Sequence, residues 1–318
     1  MLASGYRKPF SPSVRHAAKA VPIQTDRTFF PMRVESSGMV DLLQHLSFAL
    51  LLLSCASFLA FLLPTGAKRY LGCAGWCAMV AFLFTQLPHL IFVENNFLYP
   101  SIAVLSIPFL AITVRSLLAG NTAVMRLTVA AAVAFLIYAP FEYVVPLGNM
   151  LISVLVAQIF WLLQGLQYPV MLIDWNMVAR NGFRIEIILA CTSIQAIAIM
   201  LGVAAAVPTT LRQKIGAFVL VVPTIYVLNT LRNVFVIIAY TEQWFPYLPD
   251  IAGNGEYGYE SFFWAHNVLS EIGALVLLVA VAYGLFMLIP ALADWAGDLF
   301  VVYKKGTLRL IGRDAEGL

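Results

Sequence analysis

The chain has 318 residues, of which 61% are hydrophobic and only 11% are charged, and its formal net charge is +3. Soluble globular proteins carry about 25% charged residues, so this composition excludes a soluble domain. The small net charge gives no reason to expect a nucleic-acid partner. We therefore expect an all-α, polytopic integral membrane protein, in which a bundle of apolar helices crosses the bilayer.

The chain opens with a basic segment, 1–38, in which no cleavable signal peptide is visible. Because Met39 follows directly, this tail is also consistent with an over-long start. A transmembrane domain is expected at 39–290, since a span needs about 20 mostly apolar residues and suitable runs follow one another there. These runs lie at about 42–64, 70–93, 97–114, 127–147, 185–207, 216–240 and 262–290.

One further run, 148–166, is ambiguous because it is short and contains Asn149, Gln158 and Gln164. If this run crosses the bilayer, the protein has eight spans. If it lies in the membrane interface, the protein has seven. We favour eight.

Basic residues are distributed unevenly among the later loops. The linker 208–215 and the C-terminal tail 291–318 together carry six lysines and arginines, whereas the segments 167–184 and 241–261 carry two. Loops rich in Lys and Arg stay on the cytoplasmic side of a membrane. The linker and the C-terminal tail are therefore predicted to be cytoplasmic, and the other two segments face outward.

Three polar residues lie inside the predicted late helices 185–207, 216–240 and 262–290: Cys191, Arg232 and His266. At 1.5 Å per residue, each of them lies roughly 8–12 Å from the outer end of its helix. Polar residues in a span are costly and normally face the bundle interior or a wet cavity. Their common depth predicts one shared pocket. Polar neighbours that would extend it are Gln195, Asn229, Asn233, Asn267, Ser270 and Glu271.

These side chains suit nucleophilic catalysis. A cysteine thiolate is a strong nucleophile, and a nearby cation stabilises it. His266 can take the proton of Cys191 and return it to a leaving amine, while Arg232 can stabilise an oxyanion. Simpler interpretations stay open: a cysteine that only packs, an ion pair of Arg232 with Glu271 or Glu260, or a transporter's solute pocket. We expect neither a metal ion nor an organic cofactor.

The segments around these residues resemble three motifs of the exosortase/archaeosortase family: ACTSIQ at Cys191, LNTLRNVF at Arg232 and SFFWAHN at His266. The similar stretch covers roughly 130–275 and is closest to the archaeal branch. The resemblance implies a multi-pass enzyme with Cys191 as nucleophile, Arg232 as essential arginine and His266 as the third-position residue. Ser193 stands where glycine is common in the family.

The resemblance also implies the partners. Substrates would be secreted or surface proteins whose C-terminal sorting signal has a Pro-Gly-Phe motif, a transmembrane helix and a basic tail. The enzyme would cleave near the motif, close to the extracytoplasmic face, and pass the protein to a membrane lipid. Arg184 is a candidate contact for a lipid phosphate. The alternatives are a bacterial-type exosortase acting on Pro-Glu-Pro signals and a polytopic transporter.

Overall fold

The computed structural model describes residues 38–92, 98–252 and 257–312. The predicted basic tail 1–38 therefore lies outside the described residues, apart from Gly38. Five long apolar helices come first: α1 (Gly38–Leu62), α2 (Lys68–Phe92), α3 (Leu98–Leu118), α4 (Thr122–Tyr143) and α5 (Val145–Gly165). The ambiguous run 148–166 thus forms α5, which is long and apolar enough to span.

A small three-stranded antiparallel sheet, which the sequence analysis did not predict, follows α5. Its strands, in the order in which they pair, are β1 (Met171–Asp174), β2 (Met177–Arg180) and β3 (Phe183–Glu186). Arg180 pairs with Phe183 across a two-residue turn, and both turn residues, Asn181 and Gly182, have positive φ. Asn-Gly is the preferred sequence for this tight hairpin turn.

The run 185–207 is not the single membrane-crossing helix that we predicted. Its start belongs to β3, a 3₁₀ helix follows at Leu189–Thr192, and α6 covers only Ile194–Ala205. Burial alternates along 183–187, as in a strand, and Ser193 adopts a left-handed backbone (φ 58°) that ends the 3₁₀ helix. At 1.5 Å per residue α6 is about 18 Å long, shorter than the ~30 Å hydrocarbon core.

The second half of the chain contains two further long helical stretches. The elements are α7 (Leu211–Thr241), α8 (Pro249–Ala252), α9 (Tyr259–Phe262), a π-helix (Phe263–Leu269) and α10 (Ser270–Leu288). The last three run on as one stretch, 259–288. Within the described residues, seven helices are candidate spans, namely α1 to α5, α7 and this stretch. The expected polytopic helical membrane protein is confirmed: α5 is among the candidate spans, and α6, an apolar helix of 12 residues, is shorter than they are.

The predicted C-terminal tail is mostly helical. It forms α11 (Ala291–Leu310), in which Leu292 and Trp295 are buried. Trp295 Nε1 donates a hydrogen bond to the Ala123 carbonyl (2.9 Å), and the Tyr303 ring stacks on Phe109 at 5.2 Å. These contacts attach α11 to α3 and α4.

Two apolar clusters position the elements that matter for the site. In the first, α6 packs along α4 so closely that a Cβ on Gly202 would overlap the Ala130 carbonyl oxygen. The second joins the sheet, through Val178 and Ile185, to α5 and to the C-terminal end of α7. The sheet and the turn after it are therefore held at one end of the helix bundle.

Candidate active site

Cys191 lies in the 3₁₀ helix between β3 and α6, so it sits on an irregular turn rather than on a long helix. Its carbonyl oxygen accepts two hydrogen bonds from α7, one from Asn229 Nδ2 (2.7 Å) and one from Asn233 Nδ2 (2.9 Å). Both asparagines are buried. A backbone carbonyl outside a regular helix needs such partners when it is away from water. The asparagines therefore tie the cysteine turn to α7.

The turn is closed immediately after Cys191. Thr192 Oγ1 donates to the Leu189 carbonyl (2.6 Å), and Ser193 takes the left-handed conformation before α6 begins. Few residues other than glycine and asparagine adopt this conformation without cost. The left-handed backbone at Ser193 explains why the family that this sequence resembles often has glycine at this position.

Arg232 is the charged residue among the three candidates, and in the sequence of α7 it lies between the two asparagines that hold the Cys191 carbonyl. It is near enough to the Cys191 thiol and to the His266 imidazole to interact with both electrostatically. Its Nη2 also makes an ion pair with Glu271 Oε1 at 3.3 Å. Glu271 and Glu260 were the two predicted ion-pair partners of Arg232, and the structure shows the pair with Glu271. The three predicted residues Cys191, Arg232 and His266 do meet in one region.

His266 lies within the π-helix, a rare geometry that often occurs at functional sites. Its ring stacks on Phe262, with the ring centroids 4.8 Å apart, and its Nδ1 contacts Asn267 Oδ1 at 2.7 Å. Because an amide oxygen only accepts, a hydrogen bond to Asn267 Oδ1 requires the tautomer with the proton on Nδ1. In that tautomer Nε2 is the nitrogen that is free to accept a proton.

Two of the predicted supporting residues lie elsewhere. Gln195 is four residues after Cys191, but the left-handed Ser193 lies between them, so the two residues are not on one continuous helix. Gln195 Nε2 instead donates to the Tyr138 hydroxyl (2.9 Å), which in turn donates to Glu142. Arg184 is exposed on β3, opposite Ala179, and makes no contact with Cys191, Arg232 or His266 within the described residues.

A polar network that the sequence analysis missed fixes the sheet to the end of α7. Arg180 donates from Nε (3.1 Å) and Nη2 (2.8 Å) to Glu242 Oε1, and the Tyr168 hydroxyl donates to the same oxygen (2.8 Å). Asn181 Nδ2 donates to the Thr241 carbonyl (3.1 Å). The hydrogen bond from Tyr168, aided by Arg180, lowers the pKa of Glu242 below its usual range. No spacing rule connects residues so distant in sequence.

A cleft of about 370 Å³ opens between α7 and α10, beside the cysteine turn. Arg232, Asn229, Ser193 and Ser270 form its polar part, while residues such as Leu277 line the remainder. The cleft gives the region of the candidate site an opening from the side of the bundle. Among the described residues, no group of three or more His, Cys, Asp and Glu side chains could hold a metal ion.

Comparison with known proteins assigns the chain to a family. The family model described as transmembrane exosortase matches residues 42–254, about two thirds of the chain. The match includes Cys191 and Arg232 and ends before His266.

Two curated proteins are also similar. Archaeosortase A of Haloferax volcanii is 27% identical over 271 residues, covering 76% of this chain and 89% of that protein. Archaeosortase A of Natronomonas pharaonis is 28% identical over 268 residues, covering 79% and 82% respectively. No solved structure gave a significant match.

Proposed function

Because the chain belongs to the transmembrane exosortase family, we propose that it is a membrane sorting enzyme that works by cysteine transpeptidation. Its substrates are surface proteins with a C-terminal signal of the Pro-Gly-Phe type followed by a transmembrane helix. The similarity to two archaeosortase A proteins supports this substrate class over Pro-Glu-Pro signals. Membership in the exosortase family also favours an enzyme over a transporter.

The proposed reaction begins with proton transfer from the Cys191 thiol to Nε2 of His266. The thiolate attacks the carbonyl carbon of the scissile peptide bond, and the negative charge that develops on the carbonyl oxygen is stabilised by Arg232. Collapse of this intermediate breaks the C–N bond. His266 gives its proton to the leaving amine, and the substrate remains attached to Cys191 as a thioester.

Transfer of the substrate from Cys191 to an acceptor molecule completes the reaction. A nucleophilic group of a membrane lipid attacks the thioester carbonyl and loses its proton to His266. The C–S bond breaks, the Cys191 thiolate takes this proton back, and the substrate is joined to the lipid. Water in place of the lipid would give simple hydrolysis. The active site lies toward the extracytoplasmic side in this proposal, because the arginine- and lysine-rich linker 208–215 is assigned to the cytoplasm.

One observation carries the proposal: two buried asparagines of α7 hold the Cys191 carbonyl, and Arg232, which lies between them in the sequence, is a cation kept in the same helix. An arginine kept inside a membrane protein costs free energy, and such residues are commonly functional. Pairing with the exposed Glu271 alone gives little reason for that cost.

The decisive experiment compares Cys191→Ala with Cys77→Ala, since Cys77 is a free cysteine far away in sequence on α2. We expect Cys191→Ala to abolish processing of a substrate with the sorting signal, while Cys77→Ala processes it normally. Both variants should be present in the membrane at wild-type amounts. Processing by Cys191→Ala would refute the cysteine mechanism.

Mass spectrometry of the wild-type protein incubated with substrate provides the direct test. A mass increase on the peptide that contains Cys191, removable by hydroxylamine, is the expected thioester. The mass also identifies the cleaved bond.

A further inference from the structure

The cleft between α7 and α10 has a polar end and an apolar end. Arg232 and Ser270 lie at the polar end, and Ile225 and Leu277 lie deeper. Ile225 is seven residues from Arg232 on α7, or about 10 Å at 1.5 Å per residue. The cleft therefore runs roughly along the helices. Like a bilayer leaflet, it is polar toward the membrane surface and apolar toward the bilayer centre.

Two buried polar atoms at the polar end make no hydrogen bond within the described part of the chain. They are Ser270 Oγ, on a residue only 5% exposed, and Nε of Arg232. A buried donor without a partner costs free energy, and nearly all such groups in native proteins are satisfied. Both groups can donate, and Arg232 is a cation. A bound anion with oxygen acceptors would satisfy both of them.

The depth of Arg232 fits the headgroup end of a lipid. Helix α7 has 31 residues and is about 46 Å long, so it exceeds the ~30 Å hydrocarbon core by about 16 Å. If this excess is shared equally between both ends, about 8 Å of the C-terminal end projects from the core. Arg232 lies nine residues before Thr241, or about 14 Å, and is therefore only about 6 Å below the core boundary.

The chemistry of the polar end decides between the two occupants that a membrane offers, a protein helix and a lipid. The backbone acceptors of a transmembrane helix are already bonded within that helix, whereas a phospholipid brings anionic phosphate oxygens. A phosphate complements the charge of Arg232 and accepts from Ser270 Oγ, which has no partner among the described residues. Exposed apolar residues at the rim, Leu228 and Leu231, continue the cleft toward the bilayer, where a hydrocarbon chain lies.

We propose that this cleft binds a membrane phospholipid, with one hydrocarbon chain along α10 and the phosphate at Arg232 and Ser270. This binding stands independently of the catalytic mechanism. That the bound lipid is the acceptor of the second step rests on the function proposed above.

Gly273 provides a variant that fills the cleft. It lines the cleft on α10, and a Cβ placed on it meets no atom within 4 Å, so a leucine there enters the cleft without displacing the fold. Val276 is the matched control, because it is 65% exposed on the same helix and does not line the cleft. Both leucine substitutions add apolar side-chain atoms to α10.

The experiment uses full-length Cys191→Ala protein in nanodiscs, so that no chemistry occurs, with phosphatidylglycerol that carries a diazirine in its hydrocarbon chain. After irradiation we expect cross-links, mapped by mass spectrometry, on α7 and α10 residues that line the cleft. Gly273→Leu, which displaces about two methylene groups of the chain, lowers the yield about tenfold. Val276→Leu leaves it unchanged. An unchanged yield in Gly273→Leu would overturn the proposal.

Two further probes separate the possible occupants. Diacylglycerol with the same diazirine lacks the phosphate, so we expect it to label the cleft more weakly, with Ser270→Ala reducing the difference between the two lipids. Equal labelling by both lipids would refute a phosphate site. Stronger labelling by a diazirine-bearing transmembrane peptide would assign the cleft to a protein helix instead.

The transfer step is judged separately in wild-type protein. Processed substrate without attached lipid, combined with lipid cross-linking in the cleft, would refute transfer to lipid and leave the binding site standing.

Discussion

The guanidinium of Arg232 contacts the carboxylate of Glu271, and its charge reaches the Cys191 thiol and the His266 imidazole. Arginine suits this position because it stays charged and presents donors in several directions from one rigid plane. The carboxylate of Glu271 is 64% exposed and partly screened by solvent, so its ion pair contributes little. The charge of Arg232 is therefore available to the reacting groups.

Replacing Arg232 with lysine tests whether charge alone is sufficient. Lysine keeps the charge but loses the planar fork, so we expect processing by Arg232→Lys to fall about 100-fold, as when a donor to an oxyanion is removed. The measurement is the rate of substrate cleavage by purified protein. Glu271→Gln, which retains the arginine, should lose less than about fivefold. A wild-type rate in Arg232→Lys would remove the guanidinium geometry from the mechanism.

At the level of elements, the notable feature is that α7 supports a neighbouring turn. The carbonyl of Cys191 has two asparagine donors, so losing one leaves the other in place. An acceptor left with no partner in a buried position costs about 1–3 kcal/mol. Asn229 and Asn233 are therefore expected to act as positioning residues that substitute for one another.

We accordingly expect Asn229→Ala and Asn233→Ala each to lower the free energy of unfolding by less than about 1 kcal/mol, and the double variant by more than the sum. The rate at which a maleimide alkylates Cys191 should change chiefly in the double variant, because the turn is then released. A strictly additive double variant with unaltered alkylation would show that the two hydrogen bonds do not position the cysteine.

The network at the end of α7 predicts a specific pH dependence. The lowered pKa of Glu242 means that its contribution to stability is present above the ordinary glutamate pKa of about 4.3 and is lost as pH falls through the lower folded value. We expect wild type to exceed Glu242→Gln in Tm from about pH 7 to about pH 5, and the difference to narrow only in stronger acid. A difference that already disappears near about pH 6 would contradict this assignment.

The long helices could be predicted from the sequence, whereas the sheet and the short helix after it could not. Most long spans were predictable because lipid imposes one requirement on every crossing helix, a long apolar run. The prediction of one continuous helix over 185–207 was wrong because the same apolar composition also suits a strand followed by a short helix. Two local features of the sequence pointed to the correct structure. They are the alternation of apolar and charged residues along 183–187 and the Asn181-Gly182 pair.

The candidate residues could be selected from the sequence by their type, but their contacts could not. Cys191, Arg232 and His266 stood out because polar residues are rare in these spans, and the structure brings them together. The paired hydrogen bonds to the Cys191 carbonyl, the Asn267 contact and the departure of Gln195 all depend on irregular backbone. Neither the left-handed Ser193 nor the π-helix follows from helical periodicity.

At the scale of the whole molecule, the sheet and the linker 208–215 are predicted to lie on opposite sides of the membrane. Leu172 on β1 and Lys214 in α7 are both exposed and suit single cysteine substitutions. In intact cells, a membrane-impermeant maleimide is expected to label Leu172→Cys, and to label Lys214→Cys only after permeabilisation. The reverse pattern would place the active site on the cytoplasmic side.

The π-helix at Phe263–Leu269 affects how this chain should be aligned with its relatives. A π turn accommodates more residues than an α turn, and each residue of an α-helix adds about 100° of rotation. Deleting one residue between His266 and α10 would restore α-helical geometry and rotate His266 by about 100° relative to α10. A homologue with a regular α-helix at this point therefore aligns correctly only with a one-residue gap, and ungapped comparison would pair its third motif with the wrong residue.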